Sequence, residues 1–112
     1  MGYCHIVLER ISRSEAEDLL KHCLEDGEVQ AGPHFREALA DERLTYADAL
    51  AVLRNGMIYE DPEQDIRIGD WKYRMEGREP GGQRVAIVFT FRTLDEAFLI
   101  TIFSIERGGK RE

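Results

Sequence analysis

The sequence predicts a single α+β domain, with N-terminal helices packed on one face of a C-terminal antiparallel β-sheet. Two observations carry this prediction. Apolar residues recur at helical spacing in the first half of the chain, and with a period of two in much of the second half. The connections between the expected strands are short, as in antiparallel sheets. With 112 residues, the chain has room for one core, so residues 1–112 are expected to form one domain.

The first helix is expected to begin at Ser12. Ser12 with Glu15, and Ser14 with Glu17, both have the spacing of a capping box, in which side chains and backbone N–H groups of the first turn bond reciprocally. Gly27 suits the left-handed residue that ends many helices. One helix face is apolar and carries Ala16, Leu19, Leu20, Cys23 and Leu24.

Two further helices are expected before the sheet. Residues 28–34 read as a loop or a short extended link, and Pro33 can pre-set a short helix from His34 to about Asp41. A third helix is expected to begin at Thr45, with Asp48 three residues later, and to end at Gly56.

The rest of the chain predicts strands. Residues 3–8 and 57–59 indicate short ones, and Gly77 to Gly82 has the composition of a hairpin loop. The apolar character of nearly every residue in the last strand favours a central position with burial on both sides. The three longer strands are expected at residues 70–76, 83–92 and about 97–105.

Alternation assigns the side chains of this sheet to two faces. If Trp71, Tyr73 and Met75 face the helices, Lys72 and Arg74 face outward. On the neighbouring strand, two arginines share the face opposite the apolar residues. That strand carries Arg84 and Arg92 outward and Val85, Ile87, Phe89 and Phe91 inward.

Charge is distributed unevenly along the chain. The net charge is −7, which argues against nucleic-acid binding over the whole surface. Residues 1–65 hold 15 acidic and 6 basic residues, whereas residues 66–112 hold 7 acidic and 9 basic residues. The predicted sheet is therefore the basic part of an acidic protein. This uneven distribution indicates either a local anion-binding face or ordinary variation of charge along a chain.

Several segments together resemble an uncharacterised bacterial and phage family of short proteins related to the RelE/BrnT/MqsR-like toxin group. The resemblance covers about residues 28–105, and residues 1–27 are an N-terminal helical addition. It implies a RelE-like helix-plus-sheet architecture and RNA chemistry. The segments are His34-Phe35, Glu42-Arg43-Leu44-Thr45, residues 53–58, residues 71–77, Ile87-Val88-Phe89 and Leu99-Ile100-Thr101.

Toxins of that group are commonly ribonucleases paired with an antitoxin. The family pattern carries an arginine four residues after the histidine, where this chain has Ala38. A second arginine precedes the Thr or Ser of the helix, where this chain has Glu42 or Arg43, depending on register. Because this chain lacks one of the family's arginines, the resemblance supports an RNA-cleaving site less strongly.

A metal-independent ribonuclease needs an acid/base pair and cations for the phosphate. His34 is the candidate acid/base, since its charge changes near neutral pH. Arg43 and Arg74 can hold phosphate, and Tyr73 can donate a hydrogen bond. The expected RNA-binding residues are Lys72, Arg84 and Arg92.

Each candidate also has a structural explanation. His34 can cap or pack a helix, Arg43 can pair with neighbouring carboxylates, and Tyr73 can belong to the core. Lys72 and Arg74 can simply be the solvated side of a strand. The alternative function is a non-enzymatic module, either an acidic helical surface that binds a basic protein or a degenerate toxin fold that keeps its partner surface.

No cofactor or metal is expected, because no histidine, cysteine or carboxylate group has a recognised ligand spacing. No apolar run reaches the ~20 residues of a membrane span. Cys4 and Cys23 have no metal-like spacing, and a cytoplasmic protein with reduced thiols is expected. Residues 106–112 are expected to be a frayed tail. The partners implied are RNA and an antitoxin or another protein, and the sequence leaves the oligomeric state open.

Overall fold

A computed structural model describes residues 8–105, which form three helices and a five-stranded mixed sheet. This confirms the α+β prediction. The expected strand at 3–8, apart from Leu8, and the expected tail at 106–112 lie outside the described residues. The elements are α1 (Arg13–Asp26), β1 (Glu28–Ala31), α2 (Pro33–Asp41), α3 (Tyr46–Asn55), β2 (Glu63–Gln64), β3 (Trp71–Arg78), β4 (Arg84–Thr93) and β5 (Glu96–Ser104).

The strands lie in the order β1-β5-β4-β3-β2, and β1 is parallel to β5 while the other neighbours are antiparallel. The strands predicted in the second half of the chain pair antiparallel, as expected. The unpredicted strand β1 adds one parallel pair, so the whole sheet is mixed. The segment expected to be a loop or link supplies β1. A four-residue strand is too short to show a period, and its pairing is set by a distant contact, since Glu28 N–H donates to the Asp95 carbonyl over 2.8 Å.

Two of the predicted helix starts are confirmed. The Ser12 hydroxyl accepts from Glu15 N–H over 3.1 Å, and Glu15 Oε1 accepts from Ser12 N–H over 2.9 Å. Thr45 and Asp48 form the same reciprocal pair at the start of α3. The second predicted box, Ser14 with Glu17, does not form. Glu17 instead accepts from the N–H of Ile58 over 2.8 Å and ties α1 to the chain after α3.

The helix ends differ from the expectation. Gly27 and Gly56 are not left-handed, with φ of −117° and −81°. They are places of close approach, since an added Cβ would lie 2.1 Å from the Asp95 carbonyl oxygen at Gly27 and 2.5 Å from the Glu76 carbonyl oxygen at Gly56. The left-handed residue is Arg43 instead, with φ of 60°.

Arg43 occupies the left-handed position of a Schellman motif at the end of α2. Its own N–H donates to the carbonyl of Ala40 over 3.0 Å, and the N–H of Leu44 donates to the carbonyl of Leu39 over 3.0 Å. Two carbonyls of the last helical turn are satisfied in this way. The conformation at Arg43 is one that glycine adopts without the steric cost of a Cβ.

The core lies between the helices and one face of the sheet. The alternation predicted for β3 and β4 is confirmed, because the side chains expected to face the helices are buried, with Trp71 half-buried. The helices contribute Leu20, Phe35 and Leu53, and the sheet contributes Tyr73, Met75, Val85, Ile87, Phe89, Phe91 and Leu99.

Two strand predictions need correction. Residues 57–59 form no strand, and Met57 makes only a single bridge with Glu76. β5 lies between β1 and β4, as a central strand should, but its burial is one-sided. Phe98, Ile100 and Phe103 are only half-buried, and they lie outside the core cluster between the helices and the sheet.

Candidate functional site

The side of the sheet that faces away from the helices is the candidate site, and we call it the outer face. It combines charged residues from β3 and β4 with half-buried apolar residues from β4 and β5. The cross-strand register sets Arg74 beside Val88 and Ala86 beside Phe103. Its members are Lys72, Arg74, Glu76, Arg84, Val88, Arg92, Phe98, Ile100 and Phe103.

A buried carboxylate holds two of the outer-face arginines. Glu76 has only 9% of its surface exposed, and its Oε2 lies 3.0 Å from Arg74 Nε. Its Oε1 accepts from Arg84 over 3.3 Å. Because both arginines are themselves partly buried, the pairing fixes their positions more than an exposed ion pair would. One negative charge therefore partly neutralises two positive charges on this face.

Two aromatic rings of β5 support arginine side chains. The guanidinium carbon of Arg92 lies 3.7 Å from the ring centroid of Phe98, and that of Arg74 lies 5.2 Å from the centroid of Phe103. These are cation–π distances. The Arg92 guanidinium also lies 3.9 Å from the carboxylate of Glu96. On the outer face, two arginine side chains therefore lie over aromatic rings of β5.

A cavity of about 260 Å³ opens on the outer face next to β2. Two cations border it, and three carboxylates of the chain around β2 border it as well. The described wall consists of Glu60, Asp61, Glu63, Lys72, Tyr73, Arg74, Val88, Ile100 and Thr101. The region around Lys72 and Arg74 therefore carries mixed charge, unlike the basic surface that alternation alone suggests.

Among the predicted catalytic residues, Tyr73 borders the cavity, but its ring lies on the helix-covered side of the sheet. Its ring packs in the core against Phe89 at 5.8 Å and Phe91 at 5.4 Å between centroids. Its hydroxyl accepts a hydrogen bond from Ile11 N–H over 3.1 Å. Burial raises the pKa of the Tyr73 phenol. This hydroxyl is used to attach the start of α1 to the sheet.

His34 and Arg43 lie apart from the outer-face cavity. His34 is exposed on the first turn of α2, a helix that packs on β5. Within residues 8–105 its side chain makes no hydrogen bond or ion pair, and it does not line the cavity. Arg43 is exposed in the turn between α2 and α3. The structure therefore brings Lys72, Arg74, Arg84 and Arg92 together on one face. His34 and Arg43 lie elsewhere, and Tyr73 borders the cavity while its hydroxyl lies on the helix-covered side.

Sequence reasoning missed several residues of this surface. Glu76 continues the alternation of Lys72 and Arg74, so its place on the outer face was available from the sequence, but its pairing with Arg84 depends on register. Phe98 and Phe103 belong to the continuous apolar run of β5, and such a run does not reveal which residues stay uncovered.

Other potential chemistry is weak within the described part of the chain. Cys23 is buried on α1, and desolvation raises the pKa of its thiol to about 11, which makes it a poor nucleophile. Among residues 8–105, no group of three or more His, Cys, Asp or Glu side chains is arranged to hold a metal ion. No helix in this range has the length and apolar character needed to cross a membrane.

The class defined by these features is a small α+β domain with helices on one face of a mixed sheet and an uncovered, charged and aromatic face on the other. The sequence profile of DUF4258, a domain of unknown function, matches residues 32–104, and the chain belongs to this family. The expected membership of an uncharacterised family is thereby confirmed. No curated protein and no solved structure matches the chain significantly.

Proposed function

We propose that this protein binds single-stranded RNA through the outer face of its sheet. The observation that carries the proposal is the combination of cations with the aromatic rings beneath two of them on the outer face. Cations neutralise phosphates, and aromatic or guanidinium planes stack with unpaired bases. The cations are Lys72, Arg74, Arg84 and Arg92, and the rings are Phe98 and Phe103.

Charge limits how strong this binding is. The net charge of −7 and the carboxylates of Glu76 and Glu96 beside the arginines reduce the positive potential of the outer face. We therefore expect modest affinity that falls steeply as salt is added. Binding is confined to the outer face, because the helical side of the molecule is acidic.

We propose binding rather than metal-independent cleavage. Cleavage requires an acid, a base and phosphate-holding groups around one bond. His34 and Arg43 do not line the cavity with Arg74, and Tyr73 directs its hydroxyl into the helix-covered side. A relationship to the RelE/BrnT/MqsR-like toxin group remains part of this proposal. In this view the protein has kept RNA recognition and has lost cleavage by His34.

Fluorescence anisotropy with labelled single-stranded RNA at several salt concentrations tests the proposal. The double variant Lys72→Gln/Arg92→Gln leaves the buried Glu76 pair intact. It is expected to bind about tenfold more weakly, and the slope of log K against log salt should fall by roughly 1.4, or about 0.7 for each lost phosphate contact. The matched control is Lys21→Gln/Arg54→Gln, which removes the same charge from the exposed helical side.

Equal weakening in the control would mean that only bulk charge matters, and no RNA binding at all would overturn the proposal. The same RNA is then run on a denaturing gel with a chelator present. The proposal predicts intact RNA. Cleavage that disappears in a His34→Ala variant would restore the catalytic hypothesis.

A second candidate is a protein-binding module that uses the acidic surface of α1. This helix carries five acidic residues against Arg13 and Lys21. Asp18 and Glu25 are exposed on it, so they are free to meet a basic partner such as an antitoxin. Capture of an oligolysine peptide that is lost in Asp18→Asn/Glu25→Gln, with RNA binding absent, would favour this candidate.

A further inference from the structure

The outer-face cavity has the size and the lining of a site for one planar ring. Its volume of about 260 Å³ lies just below the ~300–1,000 Å³ range of small-molecule sites, so it suits a single ring system. Val88 and Ile100 give the lining an apolar part, and Thr101 gives it a polar residue that carries no charge. Unpaired RNA bases are commonly recognised in such a setting, with one face on an apolar or aromatic surface and the edge on polar groups.

Both positively and negatively charged side chains border this cavity. Lys72 lies directly across the β2–β3 pair from Glu63, and yet within residues 8–105 their side chains form no ion pair. Among those same residues, the side chain of Glu60 also makes no hydrogen bond or ion pair. Asp61 differs, because Arg10 lies 3.6 Å and Arg13 lies 3.5 Å from its carboxylate. Glu60 and Glu63 therefore remain as acceptors, and Lys72 as a donor.

This combination of unpaired charges matches a nucleotide that carries an amino group on its base. Lys72 and Arg74 can neutralise the phosphate, while the carboxylates can accept from an exocyclic amino group. Carboxylates accept from the N4 amino group of cytosine, whereas uracil presents a carbonyl oxygen at the same position and would face an unpaired carboxylate.

We infer that this cavity is a base-reading subsite in which Glu60 and Glu63 select cytosine over uracil in single-stranded RNA. The inference rests on the proposed RNA-binding function and names the base class that this face prefers. In this inference the carboxylates beside β2 determine base specificity. They also lower the affinity for RNA of any sequence, because their negative charge lies next to the phosphate-binding cations.

The test compares labelled oligocytidylate and oligouridylate of equal length by fluorescence anisotropy at one salt concentration. The wild-type protein is expected to bind oligocytidylate roughly fivefold more tightly. The double variant Glu60→Gln/Glu63→Gln is expected to bind oligouridylate more tightly than wild type while the preference falls towards one. Both side chains are exposed, so the variant is expected to fold.

The control is Glu37→Gln, an exposed glutamate on α2, which is expected to keep the preference. If the two RNAs bind wild type equally, or if the double variant gains affinity for both by the same factor, the carboxylates only repel phosphate and the subsite is overturned while RNA binding stands. Absence of binding to both RNAs would overturn the proposed function itself. Displacement of RNA from wild type, but not from the double variant, by an oligolysine peptide would indicate a protein ligand instead.

Discussion

The two faces of the sheet are stabilised by different interactions. On the helix-covered face, Phe89 and Ile87 are fully buried in a continuous apolar core. On the outer face, the corresponding contacts are the Glu76 ion pairs and arginines stacked on half-buried rings. Burial contributes most of the folding free energy, whereas partly exposed ion pairs contribute little each. The outer face can therefore change its residues without losing the fold, which suits a surface that binds.

The largest expected effect comes from removing the same ring on each face. Phe89→Ala should lower the free energy of unfolding by about 3–5 kcal/mol, because it leaves a cavity in the core. Phe103→Ala should lower it by about 1–2 kcal/mol, because its ring is only half-buried. Urea unfolding followed by circular dichroism measures both. Equal losses would show that the outer face is packed as tightly as the core.

Glu76 allows a second test of the comparison, because it pairs with two arginines of the proposed RNA-binding face. Glu76→Gln should lower the free energy of unfolding by about 1–3 kcal/mol, since Arg74 and Arg84 lose their shared acceptor charge. The same change should tighten RNA binding, because the outer face gains positive charge. Urea unfolding and RNA anisotropy are measured on the same preparation. Weaker RNA binding in a folded variant would instead show that Glu76 positions the arginines for RNA.

The helix-covered face was predictable from the sequence to a larger extent than the outer face. The capping box at Ser12, the helix start at Thr45 and the alternation in β3 and β4 are local patterns, and each was confirmed. The hairpin between β3 and β4 also lies where its glycines and proline indicated. These features depend on neighbours within a few residues, which a single sequence displays.

Features that depend on distant contacts were not predictable. β1 pairs with β5 across most of the chain, and Gly27 and Gly56 serve close approaches to Asp95 and Glu76. The mixed charge of the outer-face cavity arises only when β2 folds beside β3. Periodicity predicts which way a side chain points, but it gives no information about which groups arrive from elsewhere in the chain.

Arg43 provides a way to change the helical layer alone. Arg43→Gly is expected to raise the free energy of unfolding by about 0.5–1 kcal/mol, because relief of the left-handed strain exceeds the entropy that glycine adds to the unfolded chain. Arg43→Ala keeps the strain and serves as the control, with little expected change. Both variants should bind RNA as wild type does. A loss of RNA binding in both variants would indicate that the Arg43 side chain contacts RNA.

The smallest expected effect concerns pH and a contact between α1 and the β4–β5 turn. His22 Nε2 lies 2.7 Å from Asp95 Oδ1, and Nδ1 lies 3.9 Å from Asp26. The hydrogen bond to Asp95 raises the pKa of His22 above its ordinary value of 6.5, with further contributions from the charges of Asp95, Asp26 and Glu25. A raised pKa in the folded state means that protonated His22 favours folding.

This contribution is fully present below pH 6.5 and is lost as pH rises through the folded-state pKa of His22. The urea midpoint of wild type, relative to that of His22→Gln, should therefore decline over that range. In Asp95→Asn, the His22 pKa measured by NMR should fall towards its ordinary value. An unchanged His22 pKa in Asp95→Asn would exclude the hydrogen bond as its cause. Because this contact lies on the helical side, RNA binding by the outer face should not follow the same titration.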